Sequence, residues 1–409
     1  MAKIKIKNFG PINHGVIDND GWLEFKKYTF FIGNQGSGKS TVAKVISTLS
    51  WLEKSINRGD TEKGNISFFS FKQYFDYQKI KKYFKDSTYI EYIGERYHII
   101  YNEQNQDFPL FNKIENIDFH VPKIMYIPAE RNILGTMNIF NSKDLPENLF
   151  TFAEELLKAQ KSLKGKRINL NLNDLKYEYD EIDEISYIIG KDYKIEIFEA
   201  SSGIQSFYPL YLVSKYLSES ISNNEEISRK NMSVNQSVRM NNEIAELMLN
   251  NLMPENEKKT EIDKIRNKYY NRCFLNIVEE PELNLFPSSQ WEMLNMLLEF
   301  NNLNKYNNIL ITTHSPYIIN FLPLFVKAYK LYNNPKIVES FDKISSIIKK
   351  ESCLNPKDLV IYEFNDVDGS IKKLENYNGL PSDENYLNDY LGDLNEKFIQ
   401  LLEIEEKCL

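Results

Sequence analysis

Apolar residues follow two different periods along this chain. Ile4 and Ile6 alternate with Lys3, Lys5 and Lys7, and the Asp18-Asn19-Asp20-Gly21 turn separates Val16-Ile17 from Trp22 to Phe25, which predicts an antiparallel flap of short strands. Tyr28 to Ile32 reads as a buried strand. The segment after it lines up Val42, Val45, Ile46 and Leu49 on one helical face. An aromatic, lysine-rich stretch from Asp60 to Asp86 leads to a hairpin, Tyr89 to Ile93 and Tyr97 to Tyr101 about Gly94-Glu95, and then to a strand at Ile124 to Ile127 that ends at Pro128.

Leu145 to Lys164 reads as an amphipathic helix, Ser186 to Ile189 and Tyr193 to Phe198 as a second hairpin, and Phe207, Leu210, Val213 and Leu217 as the buried face of another helix. The polar, asparagine-rich interval from Ser218 to Arg272 is either a flexible insertion or a helical arm, and we read it as an insertion. Phe274 to Val278 and Ile309 to Thr312 are apolar strands that bracket a helix carrying Trp291, Leu294, Leu297 and Leu298. Strand and helix in alternation predict an α/β fold with a mostly parallel sheet. Farther on, Leu359 to Phe364 and Ile371 to Leu374 form a hairpin about Asp368-Gly369, and a helix follows. The expected organisation is one unit over 1–330, with helical insertions at about 134–185 and 218–272, and a C-terminal α/β extension over 331–409.

With 409 residues, 42% hydrophobic and 26% charged, the chain is long enough for a large core. It has no apolar run of about 18 residues, the length a membrane helix needs, so a cytoplasmic protein is expected. A net charge of −8 argues against a surface dominated by nucleic-acid phosphates. Cys273, Cys353 and Cys408 lie far apart and read as reduced thiols.

The strongest chemical signal is Gly33-Asn34-Gln35-Gly36-Ser37-Gly38-Lys39-Ser40, followed by Thr41, between a buried strand and an amphipathic helix. This is G-x-x-x-x-G-K-[ST]: the glycines let backbone N–H groups turn inward around phosphate, Lys39 reaches the β and γ phosphates, and the Ser40 hydroxyl holds Mg²⁺. Glu279-Glu280-Pro281-Glu282 ends an apolar strand, where Glu279 is assigned to the metal and Glu280 to the attacking water. A second apolar strand ends in Thr312-Thr313-His314-Ser315, with His314 placed to donate to the γ-phosphate or the water. Ser202 and Gly203, in Ala200 to Ser206, open a helix and form a candidate anion site, although such a segment alone is more often an ordinary cap.

In this order the four segments resemble the Walker A, signature, Walker B and switch-histidine segments of the ABC-type ATPase head. Ile4 to Ile12, Tyr126-Ile127-Pro128-Ala129-Glu130-Arg131, the Glu-Glu-Pro-Glu run and Thr-His-Ser-Pro further resemble the SMC, RecF and OLD branch, which includes stand-alone ATPases of anti-phage defence such as those of PARIS and Septu systems. The resemblance spans roughly residues 1–330. It implies a P-loop head with an N-terminal antiparallel β subdomain, ATP and Mg²⁺ as ligands, and a homodimer or higher homo-oligomer. In that assembly Ser202 and Gly203 meet the γ-phosphate held by the partner's Lys39 and Ser40. The sequence departs from the branch at Ile204 for the second signature glycine, Glu279 for the usual aspartate and Asn284 for a common histidine. Arg131 or Glu130 stands where a Q-loop glutamine belongs. These departures imply slow or partner-dependent hydrolysis.

No sustained heptads separate the P-loop from the signature segment, so a long coiled-coil arm does not fit there. Asp366-Val367-Asp368 reads as a turn and not as a nuclease centre. The first functional reading is a regulatory ATPase scaffold that controls a separately encoded effector, a nuclease or toxin, in phage defence. The alternative is a DNA-repair ATPase that clamps DNA, supported by Lys158, Lys161, Lys164, Lys166 and Arg167, a run that also reads as a solvated helix face. A transporter subunit fits less well.

Overall fold

Residues 2–104, 110–114, 120–135, 145–221, 232–249 and 253–408 are described by a computed structural model. The lysine and isoleucine alternation sets Lys3–Phe9 (β1) with Ile4, Ile6 and Phe9 inward. Gly15–Val16 (β2) and Leu23–Glu24 (β3) follow. β3 pairs with β1, as does Phe84–Ile93 (β5), while Tyr97–Asn102 (β6) and Leu110–Lys113 (β7) complete an antiparallel sheet of order β3-β1-β5-β6-β7. The expected flap is corrected in one respect: β2 does not pair with the Trp22 to Phe25 segment but runs parallel to a strand of the other sheet. Asn19 and Asp20 are both left-handed, with φ of 48° and 52°, so the turn carries the chain across between sheets and does not fold it back.

The second sheet has seven strands in the order β2-β16-β15-β4-β14-β13-β8. Its parallel centre comprises Tyr28–Gly33 (β4), Pro122–Ile127 (β8), Cys273–Glu279 (β13), Asn308–Thr313 (β14) and Leu359–Phe364 (β15). Ser370–Lys373 (β16) turns back antiparallel on β15. The mostly parallel α/β sheet with an antiparallel N-terminal subdomain is therefore the architecture observed. The strands alternate their residues between two faces. Phe31 packs with Val42, Ile46 and Leu49 of Lys39–Arg58 (α1) and with Ile6, Ile90 and Ile99 of the first sheet. Phe30 and Ile32 point the other way, to the core formed with Glu147–Ser162 (α3), Ser202–Ser220 (α4), Pro287–Asn302 (α7) and Pro316–Tyr332 (α8). Each such fully buried side chain contributes about 1.5–3 kcal/mol.

The aromatic stretch between α1 and β5 has a use in this scheme. Phe68–Gln73 (α2) stacks Phe68 and Phe71 on Tyr101 with centroids 4.8 and 4.9 Å apart, walling one end of the first sheet's core. The segment at about 134–185 is not only helical. After α3 the chain forms Ile168–Asn169 (β9), Lys176–Asp180 (β10), Ile185–Ile189 (β11) and Lys194–Glu196 (β12), a four-stranded antiparallel sheet; residues 136–144 of the segment lie outside the described residues. Within 218–272, Val234–Leu249 (α5) and Glu255–Tyr269 (α6) pack as a helical pair around Met240, Tyr269 and Tyr270, while 222–231 and 250–252 lie outside the described residues. The 331–409 segment supplies β15 beside β4, so the central sheet runs through the boundary drawn at 330. Tyr386–Cys408 (α9) leaves Tyr390, Phe398, Ile399 and Leu401 exposed.

Candidate functional site

Three neighbouring parallel strands, β4, β14 and β13, end side by side, and each passes into one of the polar segments singled out from sequence. Thr313 pairs with Ile32 and Thr312 with Glu279, so the P-loop, His314 and Glu280 emerge in order at the carboxyl edge of the sheet. That edge is where open α/β sheets bind ligands.

The loop from Gly33 to Gly38 is shaped by two glycines that tolerate no side chain. Gly33 has φ 138°, and a Cβ there would lie 2.4 Å from the Phe364 carbonyl; at Gly38, with φ 100°, it would lie 2.5 Å from Ile12 Cδ1. Asn34, Gln35 and Gly36 face solvent, while Ser37, Lys39 and Thr41 are buried and Ser40 is half-buried. The Asn34 amide donates to Asp366 Oδ2 at 3.0 Å, and its own Oδ1 accepts from the Gln35 N–H at 2.8 Å. Lys39 Nζ donates to the carbonyls of Gly33 at 2.9 Å and Asn34 at 2.7 Å. Burial pushes its ammonium down to about 8, against the opposing pull of Glu280 first and then of Glu282, Asp366 and Glu279.

His314 joins this lysine to the glutamates. Its Nδ1 lies 3.5 Å from Lys39 Nζ and its Nε2 3.3 Å from Glu280 Oε1. An ammonium only donates, so Nδ1 accepts, and Nε2 carries the proton toward the carboxylate. The hydrogen bond from His314, helped by the charges of Lys39 and Arg131, holds the Glu280 carboxyl below the usual range, against its own burial. Glu280 sits at φ 41°, a left-handed conformation that costs a non-glycine residue about 1–2 kcal/mol. Its N–H is tied to the Thr312 carbonyl at 2.9 Å, which helps hold that conformation.

Glu279 is buried at the strand end. Oε2 accepts weakly from the Ala129 N–H at 3.4 Å, while Oε1 is buried without a hydrogen-bond partner. An orphaned carboxylate oxygen close enough to Lys39 to act on its ammonium fits a small divalent cation, which takes oxygen ligands. No group of three or more His, Cys, Asp or Glu able to hold a metal occurs among the described residues.

Two further residues, Glu282 and Arg131, organise the site. Glu282 Oε1 accepts from Thr313 Oγ1 at 2.7 Å and from the His314 N–H at 2.8 Å, which fixes the histidine's loop; burial raises its carboxyl above the usual range. Arg131, read as a stand-in for a Q-loop residue, is buried beneath the site. Its guanidinium donates to four carbonyls: Pro128 at 3.1 Å, Glu279 at 2.7 Å, Glu280 at 2.8 Å and Ser206 at 3.0 Å. Four inward carbonyls around one cation are invisible in a linear motif; the only hint was an arginine directly after a buried strand.

Ser202 and Gly203 lie at the start of α4, with Ser201 and Ser202 exposed. Among the described residues no hydrogen bond joins them to Lys39 or Ser40 of the same chain. They are instead seated on the loop after Glu280: a Cβ on Gly203 would lie 2.6 Å from the Asn284 carbonyl, and Asn284 Nδ2 donates to Ser206 Oγ at 3.4 Å. The basic run is partly consumed by ion pairs: Lys158 with Glu155 at 2.8 Å, Lys161 with Glu184 at 4.0 Å, and Arg167 with Glu178. Burial pushes the thiols of Cys273 and Cys353 up to about 12, so neither is a nucleophile at neutral pH. No helix among the described residues is long and apolar enough to cross a membrane.

Among solved structures the chain is similar to an SMC head domain from Thermotoga maritima (11% identity, 92% of this chain and 98% of that one, TM-score 0.38). It is also similar to an Smc head bound to the C-terminal winged-helix domain of ScpA (10%, 91% and 96%, 0.40). A third is an Smc head with an extended coiled coil bound to the C-terminal domain of ScpA, derived from Pyrococcus furiosus (10%, 99% and 100%, 0.36). Comparison with curated proteins gave no match. Residues 270–319, which run from β13 through Glu279, Glu280 and Glu282 to His314 and the start of α8, match the family described as AAA ATPase domain, and this match supports an ATPase.

Proposed function

We propose that this chain binds ATP with Mg²⁺ and hydrolyses it, that two copies close around the nucleotides, and that this assembly controls a separately encoded effector in anti-phage defence. The observation that carries the chemistry is the Lys39, His314 and Glu280 chain of contacts, at 3.5 and 3.3 Å, on adjacent strand ends. Lys39 and the loop amides bind the β and γ phosphates, with Ser40 and Glu279 as the residues that would hold the metal. The bound magnesium ion neutralises charge on the phosphates. Glu280 orients the attacking water and takes its proton, and His314 keeps that carboxylate aligned through its Nε2–H.

Closure of two copies is supported by the exposure of Ser201 and Ser202 at the start of a 19-residue helix, where N–H groups and the helix dipole favour an anion. Control of an effector rests on the resemblance to the defence branch, with the exposed apolar residues of α9 as a surface another polypeptide would cover. The test is mass measurement by light scattering, with ATP and the Glu280→Gln chain, alone and with the product of a neighbouring gene. A doubling of mass with ATP and a stable complex with the neighbour are expected. A chain that stays monomeric and binds nothing would refute the scaffold.

Lys39 makes nucleotide binding depend on pH in a stated direction. Phosphate beside the ammonium favours its charged form, so the bound state has the higher pKa. Below about 8 the lysine is charged in both states and no proton is taken up. Above that, binding takes up close to one proton and affinity falls by about tenfold per pH unit. Calorimetry in two buffers of different ionisation enthalpy, at about pH 7 and about pH 9, reads the uptake directly; none at the higher pH would show that burial does not depress the unbound ammonium.

A further inference from the structure

The reaction groups and the exposed helix start are separate in sequence, yet one buried side chain holds both. Arg131 Nη1 and Nη2 fix the carbonyls of Glu279 and Glu280, and Nε fixes the carbonyl of Ser206 in the first turns of α4. A second link runs parallel to it through Asn284, whose backbone is left-handed at φ 60° and whose carbonyl leaves no room for a side chain on Gly203. Burial brings the guanidinium down to about 10, with Glu282, Glu280 and Glu279 opposing, so it stays charged at neutral pH. A planar fork with five donors is suited to carbonyls that diverge in this way, and an ammonium is not.

We propose that Arg131 is a positioning residue that couples the Ser202-Gly203 helix start to Glu280, so that seating of a second copy's triphosphate on α4 and alignment of the hydrolytic carboxylate become one event. This rests on the ATPase reading and adds to it the route by which association licenses hydrolysis. The P-loop stands apart from this link: no hydrogen bond among the described residues joins Arg131 to residues 33–41. Capture of nucleotide and its hydrolysis therefore depend on Arg131 to different degrees.

The experiment uses the full chain with Arg131→Lys and Arg131→Met. Nucleotide affinity is read with a non-hydrolysable ATP analogue, the chemical step by single-turnover hydrolysis, and association by light scattering. Affinity is expected to stay within about twofold, while the single-turnover rate falls about 100-fold in Arg131→Met and about 10-fold in Arg131→Lys, since a misplacement near 1 Å costs about 10²-fold. Analogue-induced association should weaken in the same order. A role confined to folding would lower affinity, rate and thermal midpoint together, with no split between them.

Gly203→Ala approaches the link from the other side and keeps the test open if Arg131→Met does not fold. Its Cβ would press on the Asn284 carbonyl, and a rate loss of about 10-fold with affinity retained is expected. Unchanged single-turnover rates in folded Arg131 variants, or in Gly203→Ala, would overturn the coupling. A wild-type chain that does not hydrolyse ATP would overturn the ATPase reading itself, whereas hydrolysis by wild type and variants alike overturns only the link.

Discussion

Lys39→Ala is expected to abolish nucleotide binding without unfolding the protein. The ammonium is buried and bound to the carbonyls of Gly33 and Asn34, and burial disfavours its charged form in the fold. Removing it therefore relieves a desolvation cost as well as deleting two hydrogen bonds, and the thermal midpoint should move little. Binding loses the one cation that the loop aims at the phosphates. Charge-assisted contacts of this kind are worth about 1.5–3 kcal/mol each, so affinity should fall at least about 100-fold. Titration with a fluorescent ATP analogue reads the loss. Affinity equal to wild type would show that the loop is not the nucleotide site.

Glu280→Gln separates binding from chemistry. The amide keeps the size of the side chain but neither accepts a proton nor carries the charge that His314 holds in place. Single-turnover hydrolysis should fall by about 10²–10⁴-fold, the range for a lost general base. Binding of ATP should persist, and the ATP-bound assembly should accumulate. Because Glu280 is the largest charge opposing the burial of Lys39, its neutralisation should also move the lysine midpoint below about 8, which the same calorimetric titration detects. Turnover equal to wild type would take Glu280 out of the reaction.

The P-loop, the acidic strand end and the histidine strand end were legible because each follows a mostly apolar strand, and strands of that kind belong at the centre of a parallel sheet. The place of β15 was not legible. Leu359 to Phe364 reads correctly as half of a hairpin, but nothing local says that its other edge meets β4, more than 300 residues earlier. The β10 strand carried a signal that the helical reading passed over: Tyr177 and Tyr179 alternate with the charged residues Lys176, Glu178 and Asp180. In the sequence Arg131 and Glu282 are polar residues that follow strands. Only the folded backbone shows that one turns inward to four carbonyls and the other to the His314 amide.

The insertion of β15 between β4 and β16 sets the order in which the molecule matures. A nascent polypeptide emerges with Lys39 early, but the wall against which Gly33 packs, the Phe364 carbonyl, and the anchor of Asn34, Asp366, follow more than 300 residues later. Until then one edge of β4 has no neighbour, and the phosphate-gripping turn lacks its scaffold. The turn after β4 thus takes its final shape only once β15, from the far end of the sequence, is in place beside it.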